Sequence, residues 1–168
     1  MSGLIHEKLD IKILILYAMR RLPCPADSGM LFEICQCDSG IGYFDFAECL
    51  TELVDTGHVK EDDEIYSITE KGIRDARAVD SSLPYSVRRA ADTQIQKADA
   101  ELSRMAMVSA TSADTDGGVN VRLTLNDDKG RLIDLTLFCA DEKQARSIKR
   151  NFRHNAEKIY MQITEVLS

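Results

Sequence analysis

The sequence predicts an α+β protein: a helical N-terminal domain that contains a β-hairpin, then a long helix, a three-stranded antiparallel sheet and a long C-terminal helix. Three observations lead to this prediction. Apolar residues recur every three or four positions through most of residues 8–105, which is typical of helices. They alternate with polar residues between 107 and 139, as in strands with one buried face. The helical period returns from residue 141 onward.

The composition is that of a globular protein. The chain has 168 residues, of which 44% are hydrophobic and 29% charged, enough for one or two domains with a packed core. No apolar run reaches the roughly 18 residues that a membrane-spanning helix needs. The first residues also lack the basic region of a signal peptide. We therefore expect a cytoplasmic protein with no membrane partner, whose five cysteines are reduced thiols.

Three helices are predicted in the N-terminal part of the chain. The first covers residues 8–21, and its apolar stripe is so wide that we expect it at the centre of its domain. The second is short and begins after an N-cap at Asp27 or Ser28. The third covers residues 43–55, and Gly57 is expected to close it in the left-handed conformation.

A β-hairpin follows these helices. Two short strands, at residues 58–60 and 65–68, enclose an acidic tip. Thr69 is placed to cap a further helix that ends near residue 80. The hairpin is therefore held between two helices.

A Ser-Ser-Leu-Pro linker at residues 81–84 divides the chain into two predicted domains, residues 1–80 and residues 81–168. The second domain begins with one helix over residues 85–105. The apolar spacing of four and three in that helix is typical of a coiled-coil seam.

Three antiparallel strands are predicted after this helix, at residues 107–113, 119–125 and 133–139. Turns rich in Asp and Gly separate them, at residues 114–118 and 126–130. Asp141 then caps the last helix. Its apolar face consists of Ala145, Ile148, Phe152, Ala156, Ile159, Ile163 and Val166. Two long helices exceed what a three-stranded sheet can cover, so we expect a homodimer.

The residues that end the first domain carry a specific pattern. Leu53 and Gly57 fit a Leu-x-x-x-Gly helix ending, and Tyr66, Thr69 and Gly72 fit a Tyr-x-apolar-Thr-x-x-Gly segment. This pattern resembles the bacterial winged helix-turn-helix transcriptional-regulator superfamily.

A second motif extends the resemblance over most of the chain. A Leu-Pro-Tyr-Ser-apolar-Arg segment at residues 83–88 is similar to one in a two-domain winged-helix family of unknown function from Gram-positive anaerobes. The resemblance implies a winged helix-turn-helix domain at residues 1–80 and a transcriptional regulator that binds DNA as a homodimer. The second domain would then dimerise or sense a small-molecule effector, which the sequence does not identify.

In that fold, the second helix of the motif enters the major groove, and its outward side chains meet bases and phosphates. The helix over residues 43–55 has an outward set of five residues: Tyr43, Phe44, Ala47, Glu48 and Thr51. Glu48 can accept a hydrogen bond from a cytosine amino group, and Tyr43 or Thr51 can bond a phosphate. The other DNA-binding candidates are Ser39, Lys60, Arg20 and Arg21.

The charge of the first domain favours a different partner. Residues 1–80 contain 8 Lys and Arg against 16 Asp and Glu, a net of −8, while residues 81–168 have a net of +1. The outward helix face has no Arg, Lys, Asn or Gln. The helix as a whole carries four acids that would repel phosphates: Asp45, Glu48, Glu52 and Asp55. The alternative function is therefore a protein-interaction module that has kept the fold and lost DNA binding. A positive surface there would favour DNA, and a negative one would favour a protein.

Other side chains predict little chemistry. Cys24, Cys35, Cys37 and Cys49 lie in one domain, but their spacing departs from the paired Cys-x-x-Cys of zinc sites, so we expect buried or incidental thiols. The three histidines are expected to be structural or at the surface: His6, His58 and His154. The sequence has no nucleophile elbow or phosphate-binding glycine loop, so we predict no enzyme, no catalytic residue, no cofactor and no metal.

The last helix carries a run of basic residues: Lys143, Arg146, Lys149, Arg150 and Arg153. We predict that this run is a solvated face paired with nearby acids. The alternative is a surface for an anionic partner, such as the acidic half of another subunit.

Overall fold

The computed structural model of the protein describes Ile5 and residues 7–168. Within these residues the fold is α+β, as predicted, with seven α-helices and two three-stranded antiparallel sheets. The chain separates into two compact units, the first ending at Leu102 and the second comprising Ser103–Ser168. This division falls later in the chain than the expected boundary after residue 80.

The first unit contains five helices and one small sheet. Its elements are α1 (Lys8–Met19), β1 (Ala26–Asp27), α2 (Ser28–Cys35), α3 (Tyr43–Asp55), β2 (Val59–Asp62), β3 (Ile65–Ile68), α4 (Glu70–Val79) and α5 (Tyr85–Lys97). The strand order is β1-β3-β2, and both pairs are antiparallel. The sequence predicted every one of these elements up to α4 except β1, which has only two residues.

Helix α1 occupies the centre of the first unit, which confirms the interpretation of its wide apolar stripe. Eight of its twelve residues are buried, and α2, α3, α4 and α5 all pack against it. Leu14 and Ile15 are fully enclosed. Burying an aliphatic side chain of this size contributes about 1.5–3 kcal/mol. The first unit is therefore built around this helix.

The Thr-x-x-Gly segment fastens the hairpin to α4. The hydroxyl of Thr69 donates to the carbonyl of Gly57 at 2.8 Å and accepts from the backbone N–H of Gly72 at 3.1 Å, so Thr69 caps α4 as predicted. A Cβ on Gly72 would lie 2.2 Å from the carbonyl oxygen of His58. Only glycine lets the two backbones approach this closely. Gly57 has φ +72°, the left-handed conformation expected after α3.

The turn between β2 and β3 is strained at two positions. It consists of Asp63 and Glu64, which have φ of 52° and 64°. Two-residue hairpin turns with positive φ at both positions normally contain Asn and Gly. Asp tolerates this conformation better than Glu, which has no short side chain to bond the local backbone.

Replacing Glu64 with glycine should stabilise the first unit by about 1 kcal/mol, because glycine has no Cβ to oppose a positive φ. Urea unfolding followed by circular dichroism measures the change. Glu64→Ala is the matched control, because it removes the same carboxylate and keeps the Cβ. An equal gain in both variants would attribute the effect to charge and contradict the prediction.

The single helix predicted over residues 85–105 is wrong. The chain forms α5 and then α6 (Asp99–Ala106), with Ala98 between them. Ala98 has ψ −2°, and its N–H bonds the carbonyls of both Gln94 and Gln96, so the last turn of α5 tightens and ends. Helix α5 packs against α1 and α2 of the first unit, which replaces the expected continuous seam.

The second unit is a three-stranded meander covered by one helix. Its strands are β4 (Val108–Thr115), β5 (Gly118–Asp127) and β6 (Gly130–Cys139), in the order β4-β5-β6, and they are followed by α7 (Glu142–Leu167). This confirms the predicted strands and turns. The carboxylate of Asp141 accepts from the backbone N–H of Gln144 at 2.7 Å, which confirms the predicted cap of α7.

The core of this unit lies between α7 and the alternate residues of the strands. Val121 and Leu123 of β5 are buried in one cluster with Phe152 of α7. Helix α7 packs mainly over β4 and β5. Strand β6 is therefore covered less completely, and the Leu137 side chain is 40% exposed.

The prediction that the basic run of α7 is solvated is wrong for Lys149. Its side chain is 1% exposed, and Nζ donates to the hydroxyl of Ser112 at 3.0 Å. Arg153 donates to the carbonyl of Ala110 at 3.0 Å. Both side chains reach β4 because their long aliphatic stems can lie along the sheet. The other three residues of the run are at least partly exposed: Lys143, Arg146 and Arg150.

The apolar face predicted for α7 is buried only in its first part. Ala145, Phe152 and Ala156 are enclosed, whereas Val166 is 84% exposed. The helix is also interrupted at Asn155, which has φ −127° and ψ 16°. None of the helices within residues 7–168 combines the length and apolar character required to cross a bilayer.

Asp134 of β6 binds two arginines. Its carboxylate accepts from Nε and a terminal nitrogen of Arg122 at 2.9 and 2.8 Å, and from Arg131 at 2.8 Å. These hydrogen bonds lower the pKa of Asp134 from 3.8 to about 2. The pair of arginines thus holds the carboxylate ionised.

Asp134→Asn should reduce the acid sensitivity of the second unit. Because the folded-state pKa is depressed, the stabilisation is complete above pH 3.8 and is lost as the pH falls toward about 2. Urea unfolding between these two pH values measures the slope. The wild type should lose stability more steeply than the variant, and parallel slopes would contradict this account.

Candidate functional site on the third helix

Helix α3 has one buried and one exposed face. Phe46, Cys49, Leu50 and Leu53 are buried at the i, i+3, i+4, i+7 spacing of an amphipathic helix. Gly42 precedes the helix in an extended conformation without a side-chain cap. The opposite face, beginning at the first turn, is directed to solvent.

Four aromatic rings connect the core of the first unit to this exposed face. The ring of buried Phe46 lies 5.2 Å from that of Phe32, which meets Tyr43 edge-on at 5.2 Å. Tyr43 in turn lies 6.0 Å from Phe44, with the rings at 73°. Edge-to-face pairs of this kind are favourable. This row of four rings, which we call the aromatic row, therefore fixes the position of Tyr43 at the surface.

The outer end of the aromatic row is strongly exposed. Tyr43 is 52% and Phe44 86% exposed. The sequence analysis placed both residues outward but did not identify Phe32 as a neighbour of Tyr43. No periodicity within α2 indicates a partner on α3. We call Tyr43 and Phe44 the aromatic pair.

Two lysines of α1 are paired with acids of α3. Lys8 forms an ion pair with Glu48, and Lys12 with Glu52. The hydrogen bond between the first pair raises the pKa of Lys8, and the hydrogen bond between the second lowers the pKa of Glu52. A phosphate approaching α3 would have to displace these carboxylates from the lysines.

The two arginine candidates are likewise paired within the first unit. Arg20 forms an ion pair with Asp80, and Nε of Arg21 lies 3.3 Å from the carboxylate of Asp92. The guanidinium of Arg21 also lies over the ring of Tyr17, 3.5 Å from its centroid. Both arginines therefore stabilise the packing of α1.

The remaining candidates offer few donors to a phosphate. The hydroxyl of Thr51 donates to the carbonyl of Ala47 at 3.0 Å, so its proton is already used, and Ala47 itself is half-buried. Ser39 is exposed in the turn before α3. Lys60 of β2 is also exposed and forms no ion pair with any residue that the structure describes.

The hairpin next to α3 is negatively charged. Four consecutive acids occupy its tip: Glu61, Asp62, Asp63 and Glu64. Burial raises the pKa of Tyr66 on β3, and the charges of Glu61 and Glu64 raise it further. The potential at this hairpin is thus unfavourable for a nucleic-acid backbone.

The cysteines and histidines form no metal centre in the described part of the chain, where no three His, Cys, Asp or Glu side chains are grouped as ligands. Cys35 and Cys49 are buried, and burial raises the pKa of Cys37 to about 11. His58 has a structural role, because its ring bonds Thr56 at 2.8 Å and Asp75 at 3.1 Å. His154 is exposed, and His6 lies outside the described residues.

A small cavity of about 210 Å³ lies between the end of α1 and β3. Its lining consists of Met19, Leu22, Pro23, Cys24, Pro25, Tyr66, Ser67 and Ile68. Pockets that enclose drug-sized ligands have about 300–1,000 Å³. The cavity is therefore too small for most effectors of that size.

A family model described as a domain of unknown function, DUF4364, matches residues 11–167. The chain belongs to the DUF4364 family. The match spans both units, because it starts inside α1 and ends at the last residue of α7. No curated protein and no solved structure shows significant similarity to the chain.

Proposed function

We propose that the first unit is a winged helix-turn-helix domain that acts as a protein-interaction module, with the partner bound at the aromatic pair of α3. The element order supports the fold: a helix, a short strand, two helices and a β-hairpin, with the strands in the order β1-β3-β2. In this interpretation α3 is the recognition helix and the β2–β3 hairpin is the wing.

The observation that carries the proposal is the 86% exposure of Phe44 beside the half-exposed Tyr43. Aromatic side chains dominate the binding energy of protein interfaces. Removing a phenylalanine of this exposure from water contributes about 1.5–3 kcal/mol. A nucleic-acid backbone offers no comparable apolar surface.

Preorganisation strengthens this site. Tyr43 is held between Phe32 and Phe44, so little side-chain entropy is lost when a partner covers it. The aromatic pair also begins α3, where backbone positions are fixed by the buried inner face. A partner thus meets a tyrosine ring that is already in place.

The charges around the aromatic pair indicate the chemistry of the partner. Asp45 directly follows the aromatic pair on α3, and four acids form the tip of the wing, while Lys8 and Lys12 are paired with acids of α3. A complementary protein surface would have an apolar pocket flanked by Lys or Arg.

A random-peptide display library panned against the full chain tests this proposal. Enriched peptides should combine apolar residues with Lys or Arg. In calorimetric titration of an enriched peptide, Phe44→Ala should weaken binding by roughly tenfold or more. The control is Tyr85→Ala, because Tyr85 is 70% exposed on α5, outside the aromatic pair. Failure to enrich any peptide, or equal affinities for wild type and Phe44→Ala, would contradict the proposal.

The second candidate is a transcriptional regulator that binds DNA through α3 as a homodimer. The winged-helix element order favours it, because that fold commonly presents its recognition helix to the major groove. Ser39 and Lys60 would then be the exposed contacts. Such a regulator would bind any DNA duplex, and its affinity would decrease steeply as the salt concentration rises.

A further inference from the structure

The sheet of the second unit has two edges, β4 and β6. An edge strand presents unpaired N–H and C=O groups that can pair with another chain, and natural proteins usually protect such edges. The two edges here differ in how they are protected.

The β4 edge is blocked by α7. Arg153 donates to the carbonyl of Ala110, and Lys149 donates to the hydroxyl of Ser112. Several other side chains of this strand are small or polar and exposed: Ser109, Thr111, Ala113, Asp114 and Thr115. A charged side chain bonded to an edge carbonyl prevents further strand pairing there.

The β6 edge has the opposite character. Leu132 is 37%, Leu137 40% and Phe138 62% exposed, and Leu135 is half-buried. Leu132 and Phe138 lie on one face of the sheet and the other two on the opposite face, because strand side chains alternate. The strand has no proline, and Asp134 is paired with arginines of its own chain. The pairing of β6 with β5 shifts by one residue at Leu132, so the apolar edge is regular from Ile133 to Cys139.

We propose that β6 pairs antiparallel with β6 of a second copy of this chain, about a two-fold axis at Leu135. The two three-stranded sheets then form one sheet of six strands. The interface is isologous, as in most homodimers.

The sequence of β6 is self-complementary in this register. Leu132 lies opposite Phe138 of the second copy, and Ile133 lies opposite Leu137. At the centre, Leu135 meets its own copy. Apolar side chains thus face apolar ones, and cross-strand pairs of this kind are stabilising. Residues 132–138 overlap, and the irregular pairing of β6 with β5 at Leu132 leaves Arg131 outside the regular ladder.

Neighbouring registers are less favourable. A two-fold axis perpendicular to the sheet requires that one residue lies opposite its own copy. An axis at Asp134 would bring the Asp134 carboxylates of the two copies together. An axis at Thr136 would place Asp134 opposite Phe138 of the second copy. An axis at Ile133 would leave Leu137 and Phe138 without a partner residue on the second strand. The axis at Leu135 avoids each of these defects.

Sedimentation equilibrium of the full chain tests the interface. The wild type should be a dimer at micromolar concentration. Leu132→Glu and Phe138→Lys should each raise the dissociation constant by about a hundredfold, because each substitution enters the interface twice and leaves charges without partners. The double variant should recover the dimer, since the carboxylate introduced on one chain would then face the ammonium group introduced on the second copy.

Two further measurements separate this interface from misfolding and from another contact. An equimolar mixture of the two single variants should form heterodimers, which unfolded chains would not do. The control Met161→Lys, at a 67% exposed position of α7, should remain dimeric. A monomeric wild type, single variants that stay dimeric, or a double variant without recovery would overturn the proposal. Loss of the dimer in the control would also overturn it.

Discussion

Gly72→Ala is expected to destabilise the first unit by about 3 kcal/mol. The added Cβ would lie 2.2 Å from the carbonyl oxygen of His58 and 2.8 Å from a side-chain carbon of Ile68. The first of these atoms belongs to the backbone that leads into β2, so it cannot move aside without breaking the Thr69 hydrogen bonds that close the hairpin. Urea unfolding monitored by circular dichroism gives the change in free energy.

Gly42→Ala is the control for this effect. A Cβ at Gly42 would meet the Asp45 carboxylate at 3.5 Å, an ordinary contact, and the backbone there has negative φ. Gly42→Ala should lower the free energy of unfolding by less than about 1 kcal/mol, because alanine is a poorer N-cap residue than glycine. Similar stabilities for the two variants would contradict the role given to Gly72.

Asp80→Ala is expected to lower the free energy of unfolding of the first unit by about 3 kcal/mol. Asp80 and Arg20 are only 17% and 23% exposed, and removal of the carboxylate leaves the Arg20 guanidinium enclosed without its ion-pair partner. Breaking one side of a pair that is largely shielded from solvent is more damaging than removing both charges. Arg20→Met combined with Asp80→Ala should therefore recover most of the loss.

The exposed pair between Lys8 and Glu48 provides the comparison. Both side chains are 51% exposed, so solvent screens the interaction. Glu48→Ala should leave the thermal midpoint almost unchanged. If Asp80→Ala were equally neutral, or if the double variant were no more stable than Asp80→Ala, burial would not be the deciding factor.

The local elements could be predicted because their signals lie within a few residues. Thr69 and Asp141 are caps whose backbone N–H partners lie three residues away, and Gly57 follows an amphipathic helix. The interruption at Ala98 was not predictable in this way. A change in ψ at a single residue, Ala98, ends α5. The sequence has no proline or glycine at this position that would indicate the end of a helix.

The candidate site was predicted in part. The outward position of Tyr43 and Phe44 follows from the helical period of α3. Their support by Phe32 and the pairing of Lys8 with Glu48 join residues that are 11 and 40 positions apart, in different helices. Such contacts depend on how helices pack. The burial of Lys149 against β4 was missed for the same reason.

On the proposed function, α3 presents a protein-binding surface from which DNA is excluded by charge. Titration of the full chain into a fluorescently labelled duplex of mixed sequence at low salt measures this exclusion. Any protein that uses basic side chains to hold DNA shows at least non-specific binding under these conditions. We predict that the anisotropy of the duplex stays at its protein-free value up to micromolar protein. A saturable rise that disappears as salt is added would contradict the claim.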